Sequence, residues 1–249
     1  MTADAGGIVV SGLTKRFGRI TAVDGLSFTA EPGSVTGFLG PNGAGKTTTL
    51  RMLAGLIAPD SGTATISGRG YAALTSPGRD AGVVLEAAGF HPGRSGRDHL
   101  RVYCTAGSYP LQRADEVLEI TRLAAAGRRK VRGYSLGMRQ RLALAMALLG
   151  DPAALILDEP ANGLDPKGTA WLRGLLGDYA RSGRTVLYSS HALGEVERLA
   201  DHVVIVSNGR LVRDGALAEL TGGQGGLEAI FLALTSESAG SAGSSQERP

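Results

Sequence analysis

Residues 40–47, with the sequence GPNGAGKT, match the pattern G-x-x-x-x-G-K-[ST] at every fixed position. In such a loop the glycines let successive backbone N–H groups turn inward and hold phosphate oxygens. Lys46 would meet the outer phosphates, and the Thr47 hydroxyl would bind Mg²⁺. The predicted contacts to a nucleoside triphosphate are Gly40, Pro41, Asn42, Gly43, Ala44, Gly45, Lys46, Thr47 and Thr48. The plainer alternative is an ordinary glycine turn that leads into a helix.

Two carboxylates, Asp158 and Glu159, directly follow the apolar residues 154–157 (ALIL) and precede Pro160. Two charges at the end of a buried strand are costly unless they are used. In enzymes with a phosphate loop, such an Asp completes the Mg²⁺ shell, and an adjacent Glu can orient or deprotonate the attacking water. We therefore expect Asp158 to bind metal and Glu159 to act as a base, the alternative being a polar strand end.

The phosphate loop requires a strand before it and a helix after it. Residues 34–39 have a compact β-type composition, and residues 47–56 show helical spacing. Further along the chain, apolar strands at 154–157, 186–189 and 203–206 alternate with helical segments. This alternation predicts an α/β fold with a mostly parallel sheet covered by helices.

Other regions depart from the alternation. Residues 8–28 predict two short antiparallel strands, with the apolar pattern broken at Asp24-Gly25. Residues 87–150 predict an inserted helical subdomain, so that residues 1–222 form one domain. The remaining residues, 223–249, contain a short apolar stretch and then mostly Ser, Gly and Ala, which predicts a short helix followed by a disordered tail.

The composition argues against several classes of protein. The net charge of +3 is too small and too dispersed to indicate nucleic acid, so no nucleic-acid partner is expected. The longest apolar run, 142–149, is far shorter than the ~20 residues of a membrane-spanning helix. The first seven residues lack the features of a signal peptide, and the single cysteine fits a reducing compartment. We therefore expect a cytoplasmic protein that contacts the membrane only through a partner.

A third motif, YSLGMRQR at residues 134–141, lies between the phosphate loop and the two carboxylates. The three motifs, in this order and spacing, resemble the ABC ATPase family over about residues 8–220. The resemblance implies a P-loop NTPase fold of the ABC type, with an antiparallel β subdomain, an inserted helical subdomain, and ATP and Mg²⁺ as cofactors. It also assigns Phe17 to adenine stacking, Asp165 to the loop after the carboxylates, and His191 to a switch histidine that steadies the terminal phosphate.

The family arrangement implies a partner of the same kind. Two such domains meet head to tail, so that each ATP lies between the phosphate loop of one chain and Ser135 and Gly137 of the other. We therefore expect a homodimer or a paired nucleotide-binding domain. The implied reaction converts ATP and water to ADP and phosphate, with Lys46, Glu159 and His191 as the catalytic residues.

Two departures from the family pattern resemble one branch of it. Leu136 and Met138 stand where Gly and Gln are usual, and Glu86 stands where a loop glutamine usually links the nucleotide to a membrane subunit. Both changes resemble the branch that exports drugs, antibiotics and peptides. Glu86 is therefore a predicted nucleotide and metal contact, the alternative being a plain surface glutamate.

The expected function is ATP hydrolysis that powers an exporter through a separate membrane permease, with this chain peripheral on the cytoplasmic face of the membrane. The alternative is a soluble ABC ATPase in DNA repair, translation or cluster assembly. Single-domain length and the lack of a long coiled coil argue against the first two of these roles. An inactive interaction subunit is disfavoured because Lys46, Asp158, Glu159 and His191 are all present.

Overall fold

The structure is a computed structural model that describes residues 7–85, 89–222, 226–229 and 231. Its larger sheet is built from β3 (Val35–Leu39), β5 (Ala81–Val84), β6 (Ala154–Leu157), β7 (Thr185–Ser190), β8 (His202–Ser207) and β9 (Arg210–Ala216). The strand order is β5-β6-β7-β3-β8-β9. The first five strands in this order are parallel, and β9 pairs antiparallel with β8 after the turn at Asn208-Gly209. The predicted mostly parallel sheet is therefore correct.

The smaller sheet is antiparallel and has the order β2-β1-β4, from β1 (Ile8–Phe17), β2 (Ile20–Ala30) and β4 (Ser61–Ile66). The predicted break at Asp24-Gly25 is wrong, because the chain reverses at Gly18-Arg19 and β2 continues through residues 24–25. A register shift between the Leu13–Leu26 and Lys15–Val23 pairs accommodates the irregularity. Gly25 takes a φ of 64° there, which glycine adopts without steric cost.

Eight α-helices surround the sheets in the described part of the chain. They are α1 (Lys46–Leu53), α2 (Pro77–Asp80), α3 (Gly96–Ala106), α4 (Arg113–Ile120), α5 (Leu136–Ala147), α6 (Pro166–Arg181), α7 (Leu193–Leu199) and α8 (Leu217–Thr221). Helices α3, α4 and α5 pack against one another, and α5 also packs on β5. Within the described residues, no helix has both the length and the hydrophobicity that a membrane crossing requires.

Two helices begin earlier than apolar periodicity predicts. The pattern at 142–149 indicates the apolar part of α5, but the helix starts at Leu136, where the Ser135 side chain caps it. Similarly, α6 starts at Pro166, where Asp165 provides the cap. The first turn of α6 is polar or small, and in α5 the residue Leu136 is exposed, so the capping residues mark where both helices begin.

The five parallel strands of the larger sheet are buried on both faces. Alternate residues of one strand belong to different cores: Leu155 and Leu157 face α5 and α6, whereas Ile156 faces the core shared with the smaller sheet. This two-sided burial explains why the strands are continuous apolar runs. Because β3, β6 and β7 are parallel neighbours, their carboxyl ends lie along one edge of the sheet. Residues 40, 158 and 191 follow these three strands directly or within one residue.

The predictions for two segments fall outside the described residues in whole or in part. Glu86 is one of residues 86–88, which are not described. The short helix and tail predicted for residues 223–249 are described only at 226–229, which are helical, and at 231.

Candidate active site

Residues 40–47 connect the carboxyl end of β3 to the first turn of α1. Gly40 and Gly45 fix the path of this loop. A Cβ atom on Gly40 would lie 2.4 Å from the Val206 carbonyl oxygen, and one on Gly45 would lie 2.4 Å from the Ala22 carbonyl oxygen. Gly45 also has a φ of 98°. The loop therefore passes closer to neighbouring backbone than any residue with a side chain would allow.

Lys46 lies inside this loop and is only 8% exposed. Its Nζ donates hydrogen bonds to the carbonyl oxygens of Gly40 at 2.6 Å and Pro41 at 3.2 Å. Burial lowers the pKa of Lys46, while the charges of Glu159 and Asp158 act in the opposite direction. A phosphate would also favour the charged form of this amine, so the position suits a group that binds anions.

Asp158 connects the phosphate loop to β7. Thr47 Oγ1 donates to Asp158 Oδ2 at 2.8 Å, and the Ser189 hydroxyl donates to Asp158 Oδ1. Ser189 Oγ in turn accepts from the backbone N–H of Glu159 at 2.9 Å. No sequence motif assigned a role to Ser189, although a polar residue at the end of the strand beside β6 was a usable signal. The buried Ser189 hydroxyl orients Asp158 and holds the backbone of Glu159.

The Thr47–Asp158 pair fits the ligand chemistry of Mg²⁺, which prefers hydroxyl, carboxylate and phosphate oxygens. Within the described residues there is no group of three or more His, Cys, Asp or Glu side chains able to hold a metal ion. The described residues therefore do not form a metal site built from protein side chains alone. Mg²⁺ usually binds to one or two carboxylates and takes its other ligands from phosphates and water. Thr47 and Asp158 leave room for phosphate and water as the other ligands.

Glu159 and His191 are in contact across the edge of the sheet, with 2.9 Å between His191 Nδ1 and Glu159 Oε2. Glu159 has a φ of 47°, an uncommon value for a residue other than glycine. The contact to Ser189 and the bond from Asn162 N to Glu159 O at 3.1 Å hold it there.

Ser135 and Gly137 lie at the start of α5. Ser135 Oγ accepts from Met138 N at 3.3 Å, and a Cβ on Gly137 would lie 2.8 Å from the Gly163 carbonyl oxygen. Asp165 is close by and caps α6, where its Oδ1 accepts from Gly168 N at 2.8 Å. These three residues line one cavity of about 510 Å³.

A different cavity, of about 480 Å³, is lined by the phosphate loop together with Asp158 and Glu159. We call it the phosphate-loop cavity. From α5 it receives Leu136 and Gln140, but neither Ser135 nor Gly137. The phosphate loop and the start of α5, which both belong to the predicted site, thus line separate cavities within one chain.

Phe17 does not line the phosphate-loop cavity. It lies at the end of the β1–β2 hairpin, 48% exposed, with Lys15 Nζ 5.6 Å from its ring centroid. Ala22, further along β2, lines the phosphate-loop cavity instead. Glu86 lies outside the described residues.

Comparison with known proteins identifies the family. The family described as "ABC transporter" matches residues 23–162, which is more than half of the chain. The chain belongs to the ABC transporter ATP-binding family. It is therefore an ABC-type ATPase domain, as its motifs predict.

Several relatives are similar over most of the chain. A bacitracin transport ATP-binding protein from Bacillus licheniformis is 42% identical over 83% of this chain and 69% of the relative. A daunorubicin resistance ATP-binding protein from Streptomyces coeruleorubidus is 40% identical over 88% and 71%. A Nod factor export ATP-binding protein from Ralstonia nicotianae is 39% identical over 85% and 67%.

Solved structures confirm the fold of this ABC ATPase. The ATP-binding subunit of an ABC transporter has a TM-score of 0.81 and 26% identity, covering 91% of this chain and 98% of that chain. A dimeric ATP-binding cassette bound to ADP and Pi in a post-hydrolysis state has a TM-score of 0.76 and 21% identity, covering 84% and 98%. The predicted P-loop α/β fold of the ABC type is therefore correct.

Proposed function

We propose that this ABC ATPase powers the export of a drug, antibiotic or peptide through a separate membrane permease. The observation that carries the proposal is the meeting of Lys46, Thr47, Asp158, Glu159 and His191 at one edge of the parallel sheet. The three relatives described above, which are named for bacitracin transport, daunorubicin resistance and Nod factor export, support the exporter branch.

Each of these side chains has a role in hydrolysis. Lys46 and the loop backbone hold the phosphates of ATP, and Thr47 and Asp158 hold Mg²⁺, which offsets negative charge on the phosphates. Glu159 orients the attacking water and accepts its proton. His191 binds one carboxylate oxygen of Glu159, so that the other oxygen remains available to the water. His191 also steadies the terminal phosphate.

A second copy of the chain, or a paired nucleotide-binding domain, completes the site. Ser135 and Gly137 line a cavity that the phosphate loop of the same chain does not line. The ATP held by one chain therefore meets Ser135 and Gly137 of the partner, and Asp165 lies at the same face. Phe17 stacks on the adenine and Glu86 contacts nucleotide and metal in this proposal.

The membrane partner docks on an apolar groove of about 290 Å³, lined by Leu56, Tyr71, Phe90 and neighbouring residues. Leu56 is 68% exposed and adds apolar surface to this groove. Leu85, which also lines the groove, precedes Glu86 in the sequence. In this proposal residues 1–222 form the nucleotide-binding domain, and about 87–150 form its helical subdomain. The chain is peripheral on the cytoplasmic face of the membrane.

Replacing Glu159 with Gln tests the chemical part of the proposal. The amide cannot accept the proton, so turnover should fall about 10²–10⁴-fold while ATP binding persists. ATP-bound dimers should then accumulate, which size-exclusion chromatography with ATP would detect. Glu119→Gln on α4 is the matched control and should behave as wild type. Ordinary turnover by Glu159→Gln would refute the role of Glu159 as base.

Purification from membranes tests the partner. A tagged wild-type chain should recover a multi-span membrane protein, and Leu56→Asp should lose it because a charge would enter the apolar groove. Ile20→Asp is the matched control, since Ile20 is 70% exposed but lies outside the groove. Recovery of the wild-type chain only as a soluble species would favour a soluble ABC ATPase without a permease.

A further inference from the structure

A cavity of about 390 Å³ lies between α6 and α7, and we call it the α6–α7 cavity. Its volume is within the range of about 300–1,000 Å³ that is typical of small-molecule sites. It shares only Glu159 with the phosphate-loop cavity. None of the contacts proposed for ATP or for the membrane partner uses the rest of it.

Part of the cavity wall is apolar. Leu172 and Leu176 of α6 are buried and line it, together with Leu164 and Leu199. These four side chains come from elements on both sides of the cavity. A flat apolar body could therefore contact α6 and α7 at the same time and bury surface on both.

Charged side chains complete the lining. Arg173 of α6 and Arg198 of α7 line the cavity, and neither forms an ion pair with any residue in the described part of the chain. Two carboxylates also line it, Glu195 and Glu159, but Glu159 is already bound to His191. Arg173 and Arg198 thus both lie in the lining without an ion pair among the described residues, and each can pair with an anionic group of a ligand.

Tyr188 adds a polar group in the same lining. It is 3% exposed, and its hydroxyl has no hydrogen-bond partner among the described residues. Burial raises the pKa of Tyr188, and the charges of Glu195 and Asp201 raise it further, so the phenol stays neutral. The Tyr188 hydroxyl is closed off from solvent, so Tyr188 contributes to the lining as a neutral group and not as a donor to a ligand.

We propose that the α6–α7 cavity binds a small organic anion with an apolar body, held by Arg173 and Arg198 and packed against Leu172, Leu176 and Leu199. This site goes beyond the export function proposed above, and ligand binding to it does not depend on ATP hydrolysis.

The position of the cavity gives the ligand a route to the rate of hydrolysis. Glu159 and Ser190 both line the α6–α7 cavity. Ser190 directly precedes His191 in the chain. The bound anion therefore contacts both segments that hold the Glu159–His191 pair. We expect it to change kcat for ATP more than KM, because the phosphate loop is not part of its site.

Three probes of the same shape test the charge preference: 2-naphthoate, 2-naphthylmethanol and 2-naphthylmethylammonium. Calorimetric titration of the full chain, saturated with ADP and Mg²⁺, should show one 2-naphthoate per chain, bound about tenfold more tightly than the neutral and cationic probes. Equal affinity for the three probes, or no 2-naphthoate binding, would overturn the proposal. Displacement of 2-naphthoate by ADP would overturn it too, by placing the probe at the phosphate loop.

Variants locate the binding site. Arg173→Ala and Arg198→Ala should each weaken 2-naphthoate about tenfold, whereas Arg181→Ala, at the end of α6 and outside the cavity lining, should not. Ala170→Phe should block the probe, since Ala170 is an exposed residue of the lining and a larger side chain there does not disturb the core. Thermal unfolding checks that each variant is folded. Wild-type affinity in both arginine variants and in Ala170→Phe would refute the site.

Discussion

The phosphate loop and the start of α5 are both turns into a helix, but they are built differently. In the first, Lys46 and Asp158 are buried, and their polar atoms bond to Gly40, Thr47 and Ser189 of the same chain. In the second, Ser135 is exposed, and the only hydrogen bond described for its side chain caps its own helix. The first region is complete within one chain, whereas the second presents an open surface. The difference indicates where a partner must contribute.

Replacing Lys46 with Ala should cause the largest loss. The variant removes the only buried ammonium in the described part of the phosphate-loop cavity, so ATP turnover should fall about 10²–10³-fold. A steady-state ATPase assay and a fluorescent-nucleotide titration would measure the effect. Lys167→Ala, on the exposed first turn of α6, should leave both unchanged. Wild-type nucleotide affinity in Lys46→Ala would contradict the account of the first region.

A pair of substitutions at Ser135 separates capping from partner contact. Asp and Asn cap helices about as well as Ser, so neither variant should unfold the start of α5. Only Ser135→Asp puts a negative charge where the partner's phosphate should lie, and ATPase activity should fall about 100-fold. Ser135→Asn should lose much less. Equal activity of the two variants would mean that no phosphate approaches this surface.

Removing the Ser189 hydroxyl should have the smallest effect of the three. Ser189→Ala deletes the bond to Asp158 and the acceptor for Glu159 N, without touching ATP itself. We expect about a tenfold fall in kcat with little change in KM, because the variant misplaces both carboxylates. Ser189→Thr keeps a hydroxyl and should recover part of the rate. A change in KM alone would argue against this positioning role.

The sequence predicted the buried parts of the site better than its exposed parts. Residues 40–47 and 158–159 have strict patterns and follow apolar strands, so both their chemistry and their position could be inferred. Ser189 has no such pattern, and its role depends on the pairing of β6 with β7. Phe17 was placed from the resemblance alone. The β1–β2 hairpin that contains Phe17 turns at Gly18-Arg19 and not at Asp24-Gly25.

The starts of α5 and α6 also show what sequence patterns can and cannot predict. Apolar periodicity located the cores of α5 and α6 but missed their first turns, which contain residues that pack little apolar surface. The caps Ser135 and Asp165 mark those turns. Both caps were identified as site residues for other reasons, so the same side chains fix local structure and also line the cavity of about 510 Å³.

Mixing two inactive variants tests most directly whether a second chain completes each site. In a head-to-tail dimer of Lys46→Ala with Ser135→Asp, one site receives both defects and the other receives an intact phosphate loop and an intact Ser135. The account predicts that each variant alone is nearly inactive and that an equimolar mixture recovers a substantial fraction of wild-type ATPase activity. Activity of the mixture that equals the average of the two separate variants would contradict it.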